Sequence, residues 1–216
     1  MMAGVDPVSL ALGLALFSLL PIAIIVCTSF LKISAVLLML RNAIGVQQIP
    51  PNMALYALAL ILSAYVMAPI GVQMYDRVSE LPEQSRNVPA ILAQVKAGAE
   101  PVRQFMARNT RPEQRTFFVD TTYRLWGKEL AKDVKPNDFI ILMPAFLVSQ
   151  INAAFEVGFL LYLPFVIIDL VVSNILLAMG MMMVSPVMIS LPLKLFLFIM
   201  LDGWTRLIQG LVLSYV

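Results

Sequence analysis

Ser149, Asn152 and Glu156 stand at i, i+3 and i+7, so a helix through them presents a hydroxyl, an amide and a carboxylate on one face, between residues that are mostly apolar. Lipid cannot satisfy such a stripe, which must therefore face protein or water. Thr28 with Lys32, and Asp169 with Ser173, repeat the relation at i, i+4 on other segments. Two kinds of chemistry are open to these groups. Either the ions line a conduit, or they pair with Lys32, Arg41 or Lys194 on a neighbouring helix and fix assembly, because a charge held away from water needs a partner in both cases.

The run Ala178-Met179-Gly180-Met181-Met182-Met183, with Pro186 close behind, offers a different chemistry. Methionine clusters ordinarily fill irregular cores or face lipid. The alternative is a constriction, since unbranched thioethers can close an opening without water-filled gaps and still yield to a bulky passenger of variable shape. A filter for small ions would use oxygen ligands instead. Gly180 and Pro186 predict a loop or a broken helix here, which is tolerated at membrane depth only where protein or an aqueous cavity surrounds it. Gly45 to Asn52, with the amides of Gln47 and Gln48 and the pair Pro50-Pro51, reads as a rigid hydrogen-bonding turn. It is either a hairpin connector or a contact surface for another subunit.

Histidine is absent and Cys27 is the lone cysteine, so His-based zinc sites, Ser-His-Asp triads, Cys-His dyads and an intrachain disulfide are excluded. No catalytic residue, metal ligand set or cofactor is assigned. Cys27 reads as a small packed hydrophobe.

The elements that carry these residues follow from composition. Of 216 residues 60% are hydrophobic and 13% charged, against about 25% charged in soluble domains, which leaves too little polar surface to cover a water-soluble globule. Eleven of the fifteen basic and nine of the thirteen acidic residues lie between Asp76 and Asp138, while Phe139 to Leu201 holds only Glu156, Asp169 and Lys194. A net charge of +2, in that block and in the whole chain, excludes a nucleic-acid partner. The expected class is all-α, a polytopic membrane protein of long, proline-broken helical hairpins with a small helical extramembrane region. Its predicted divisions are an N-terminal membrane hairpin over 1–75, a helical region over 76–138, and a C-terminal membrane hairpin and tail over 139–216.

Val8 to Leu40 is apolar enough for ~50 Å of helix, longer than a bilayer core of ~30 Å, which demands tilt, a bend at Pro21 or an excursion from the membrane. The first charge is Asp6 and the first cation Lys32, unlike a cleavable secretory signal, so this segment reads as a retained membrane helix. Met53 to Val72 supplies a second span. Lys32 and Arg41 flank the 41–52 loop and place it in the cytoplasm by the positive-inside bias, which sends 76–138 to the opposite side. There Asn87 to Met106 follows a helical repeat that Pro101 is expected to kink or split. Thr110-Arg111-Pro112-Glu113 matches a capping box that opens a helix through Trp126, and Asn137 or Asp138 is placed to cap the next from Phe139. Breaks are expected at Pro144, Pro164, Pro186 and Pro192, with two passes between Phe139 and Leu201. Gly203 to Val216 predicts an amphipathic tail with Arg206 and Gln209 one turn apart.

Leu40-Arg41-Asn42-Ala43-Ile44-Gly45-Val46-Gln47-Gln48-Ile49-Pro50-Pro51-Asn52, Phe165 to Val172, Met179 to Pro186, and Leu201-Asp202-Gly203-Trp204 together resemble the FliP/YscR/SctR family of type III protein export. The likeness spans both apolar blocks in order. Val46, Ile49 and the missing cleavable signal look more like the virulence injectisome branch than the flagellar one. The resemblance implies a non-enzymatic export-gate subunit of the bacterial inner membrane. Sister copies, a pentamer, wind with S and T subunits around a channel for unfolded secreted proteins, partly raised toward the periplasm. Further export-apparatus proteins and a partner ATPase with the proton-motive force complete the system. Met181, Met182 and Met183 correspond to the family's methionine gasket. Lys32, Arg41, Gln47, Gln48, Asn152, Glu156, Asp169 and Lys194 stand as assembly or pore-lining polar positions. Two other readings are a cation-coupled carrier with Glu156 and Asp169 as ion sites, and a structural scaffold in which nothing lines a pore.

Overall fold

A computed structural model describes residues 7–46, 49–80, 88–181 and 183–216, and those residues form helices with no strand among them. In order these are α1 (Pro7–Cys27), α2 (Phe30–Ile44), α3 (Asn52–Ser79), α4 (Val88–Arg108), α5 (Pro112–Leu130), α6 (Phe139–Ala178), α7 (Pro186–Met200) and α8 (Gly203–Leu213). Two of them, α3 and α6, are long and apolar enough to cross a membrane alone, and up to four spans result if α1 with α2 and α7 with α8 each count as one broken span. The all-α polytopic class is therefore what the chain adopts.

Prolines break the helices less than their chemistry suggests. Pro21, Pro69, Pro101 and Pro192 lie inside α1, α3, α4 and α7, and Pro144 and Pro164 lie inside α6, which runs 40 residues. The breaks expected at Pro144, Pro164 and Pro192, and a split at Pro101, do not occur. Each proline removes a single rung, and α6 has on the order of thirty-five. The chain breaks instead where local groups compete for the ladder. At Thr28 the hydroxyl donates to the Ile24 carbonyl and accepts from the Phe30 N–H at 3.3 Å, closing α1 and opening α2. Thr28 and Lys32 consequently do not share one continuous helix.

The chain divides into two compact units, one of Met1–Leu31 with Ala64–Gln150 and one of Lys32–Ser63 with Ile151–Val216. In the first, α4 packs against α1, and Phe105, Met106, Ile141, Leu142, Ala145 and Phe146 are buried. Phe105 meets Phe146 edge to face with centroids 6.0 Å apart. The start expected for α5 is correct but its cap is not. Thr110 Oγ1 donates back to Met106 O at 2.6 Å, Arg111 is the N-cap, and the Arg111 N–H is satisfied by Ser149 Oγ of α6 at 3.0 Å. A hydroxyl held in place by packing outcompetes the local threonine, which reaches its own preceding turn first. Gln150 Nε2 likewise donates to Asn109 O at 3.0 Å. Asp138 does not cap α6 with its side chain; Oδ2 accepts from the Lys135 N–H at 2.7 Å and the backbone carbonyl starts the helix.

On α4, Arg103 pairs with Glu100 at 2.7 Å, and hydrogen bonding from Arg103 holds the Glu100 carboxyl below its usual range. A depressed carboxyl stabilises the fold above its ordinary pKa of about 4.3, and that stability is lost as pH falls through the lower folded value. Both side chains are partly in water, so Glu100→Gln is expected to cost no more than about 1 kcal/mol at neutral pH and nothing once the acid is protonated. Comparing denaturation of the two proteins at pH 7 and pH 3 checks the sign.

The second unit is built on α2, whose Ile33, Val36, Leu37, Leu40, Ala43 and Ile44 are buried at helical spacing. Gly158 of α6 abuts Met39, with the Met39 side chain where a Cβ would stand. Phe198 sits 6.4 Å from Phe165 and 5.4 Å, edge on, from Trp204. Its ring also occupies the space a Cβ on Gly203 would need, at the start of α8 after a 61° bend from α7. Gly203→Ala is expected to cost about 1–3 kcal/mol by overpacking against that ring. A thermal midpoint equal to wild type in detergent would mean that the ring moves aside freely. As predicted, α8 is amphipathic, burying Leu207 and Leu211 and exposing Arg206 and Gln209.

Candidate functional site

The connection from α6 to α7 is set by one glycine. Gly180 adopts φ 72°, a left-handed conformation that strains any residue with a side chain. Its N–H donates to Leu177 O at 3.0 Å and the Met181 N–H to Leu176 O at 2.9 Å, the paired bonds of a Schellman closure. The backbone turns again through Val184 N–H to Met181 O at 3.4 Å, and extended Ser185 leads into Pro186 in the first turn of α7. Of the expected breaks, the one at Pro186 is present. This turn leaves Met183 fully exposed at 101% and Met181 exposed at 39%, so little in their own chain fixes these long side chains. Met182, and Gln47 and Gln48 of the other loop, lie outside the described residues.

Behind the turn a buried cation ties three helices together. Lys194 of α7, only 5% exposed, donates to Asp169 Oδ2 of α6 at 2.6 Å and to Ala43 O, near the end of α2, at 3.4 Å. A cation suits that helix end, where carbonyls lack intrahelical partners. Gly45, at φ 87°, closes α2 and brings the backbone beside Lys194 and Leu191. Asp169 Oδ1 is buried with no hydrogen-bond partner, so the pair is satisfied on one side only.

The other polar candidates are more dispersed. Arg41, in the last turn of α2, reaches Pro50 O at 3.3 Å and Asn52 Oδ1, tying the helix end to the far end of the connection into α3. Lys32, 6% exposed, donates to Ser214 Oγ at 2.7 Å and lies 4.5 Å from the Tyr215 ring centroid. Asn152 is half-buried and Glu156 exposed on α6. Of the residues singled out from sequence, the structure thus joins Lys194 to Asp169 within one chain and keeps Lys32 and Arg41 apart from them. Ser149, part of the stripe, is used by the Arg111 backbone. Sequence reading missed Ser214 and Tyr215, which no spacing links to a lysine 182 positions away. It also missed Gln150, whose only signal was an amide in an apolar run. Among the described residues no three His, Cys, Asp or Glu side chains gather to hold a metal ion.

With this geometry in view, the chain matches the family model described as the FliP family over residues 13–211. It is 51% identical over 210 residues to the Yop proteins translocation protein R of Yersinia pestis, covering 97% of each chain. It is 47% identical over 211 residues to the harpin secretion protein HrcR of Erwinia amylovora, covering 98% of this chain and 97% of that one. To the virulence protein YscR of Salmonella typhimurium it is 45% identical over 211 residues, covering 97% of each.

Proposed function

This chain belongs to the FliP family, and from that membership we propose that it is a core subunit of a type III secretion export gate in the bacterial inner membrane. It works there as a structural part of a multi-subunit export complex rather than as an enzyme. The reading is carried by near-full-length similarity to proteins named for translocation and secretion. Relatives named for Yop translocation, harpin secretion and virulence support the injectisome branch over the flagellar one.

In the finer reading, a pentamer of sister copies with S and T subunits surrounds a channel for unfolded proteins. The loop over 41–52 lies in the cytoplasm and 76–138 in the periplasm. Met181, Met182 and Met183 form the constriction. The left-handed Gly180 closure supports this last assignment, because it carries Met181 and Met183 away from their own core. Lys194 and Asp169 brace the two helices that carry the turn, and Arg41 fixes the 41–52 loop, with Gln47 and Gln48 in it, as a contact surface. Asn152 and Glu156 belong to the contact between copies.

Cysteines introduced at 181 and 183 in an otherwise functional complex are expected to crosslink to a secreted substrate stalled in transit. Labelling of both positions by a lipid-soluble reagent, with no substrate adduct, would remove the constriction from the proposal. The carrier reading is disfavoured by the Lys194 ammonium, which already pairs with Asp169, one of the two carboxylates, with Glu156, that it assigns to a transported cation.

A further inference from the structure

The second unit contains a partly open cavity of about 430 Å³ between α2, α6, α7 and α8, within the ~300–1,000 Å³ range of small-ligand sites. Its walls are almost wholly apolar, with Leu161, Phe165 and Leu197 among them, and among the described residues no acidic side chain lines it. Two cations do: Lys32 and Arg206. Lys32 is buried, and its polar contacts, the Ser214 hydroxyl and the Tyr215 ring, carry no negative charge. The cavity exists because α8 turns Gly203, Gly210 and Ser214 toward it, and nothing lies within 4 Å of where a Gly210 Cβ would be.

We propose that this cavity is a binding site for one anionic phospholipid, with an acyl tail along the apolar wall and the headgroup phosphate at Lys32 and Arg206. The charge pattern selects the occupant. A buried cation against an almost wholly apolar wall is stabilised by an anion. A membrane offers one molecule that supplies a hydrocarbon chain and a negative group together. The site shares no residue with the methionine turn, so it stands or falls apart from the gate reading.

The test uses the full chain purified in a neutral detergent, with phosphatidylglycerol and phosphatidylcholine of identical acyl chains as probes, read by native mass spectrometry and thermal shift. Phosphatidylglycerol is expected to remain bound at one per chain and to raise the melting temperature more than phosphatidylcholine. Arg206→Gln, at an exposed position, and Lys32→Gln should together lower the preference on the order of tenfold. Gly210→Leu, which fills the cavity and improves helix propensity, should abolish retention of both lipids while the chain stays folded. Equal retention of the two lipids, a preference unchanged in Arg206→Gln, or lipid retention unaffected by Gly210→Leu would each overturn the proposal. So would an oligomer that excludes lipid and dissociates on Gly210→Leu, which would assign the cavity to a second copy of the chain.

Discussion

Replacing Met181, Met182 and Met183 together by alanine is expected to leave the export complex assembled and raise its permeability to small solutes at least several-fold. The reason is volume and compliance. Met183 is fully exposed and Met181 partly so, so truncation at these two positions removes little packing within the chain. Truncation does remove the groups that could meet similar groups from neighbouring copies and close an opening without leaving water-sized gaps. Flux of a small fluorescent solute through membranes containing the complex, compared with wild type, measures the effect. A triple variant that is assembled, sealed and fully competent for secretion would show that the seal lies elsewhere. Leucine in place of alanine is the informative control, since it restores bulk without the flexibility and should seal better than it transports.

The second large effect concerns stability. Lys194→Ala is expected to destabilise the chain by about 3 kcal/mol, the low end of the range for removing one partner of a buried ion pair. The low end applies because the Asp169 side chain is 40% exposed and can recover solvent or lipid-headgroup contacts. Asp169→Ala should cost a similar amount, since it strands an almost fully buried ammonium beside only the Ala43 carbonyl. The double variant Lys194→Ala with Asp169→Ala should cost well under the sum of the two losses, because neither residue then carries a charge. Denaturation of the four proteins in detergent closes the cycle. Additive losses would mean that the two residues act independently, and that the brace between α6 and α7 is packing alone.

How much of this was readable in advance depended on the range of the interaction. The break after Met179 was legible because Gly180 and Pro186 act on their immediate neighbours. So was the amphipathic α8, whose buried Leu207 and Leu211 repeat at helical spacing. The family was legible in the loop and methionine motifs, and the match over residues 13–211 bears it out. Proline was misleading, because its local penalty is set against the whole ladder of a long helix, and at Pro144 and Pro164 the ladder prevails. Caps were misread for a related reason. Thr110 has the right chemistry, but Ser149, 38 residues beyond Arg111, supplies the bond that satisfies the Arg111 N–H. Lys32 was visible as an isolated cation, whereas its Ser214 partner depended on how α8 returns to α2, which no spacing encodes.

At 1.5 Å per residue the 40 residues of α6 amount to ~60 Å, about twice the depth of hydrocarbon that a bilayer supplies. Its exposed large apolar residues, from Ile140 through Phe155 and Ile167 to Leu177, thus extend too far to be sheltered by lipid from end to end. A copy made in excess of its companions would carry greasy surface with nowhere to go, and would clump or be destroyed. Part of that apolar height is therefore expected to be covered by protein rather than by lipid.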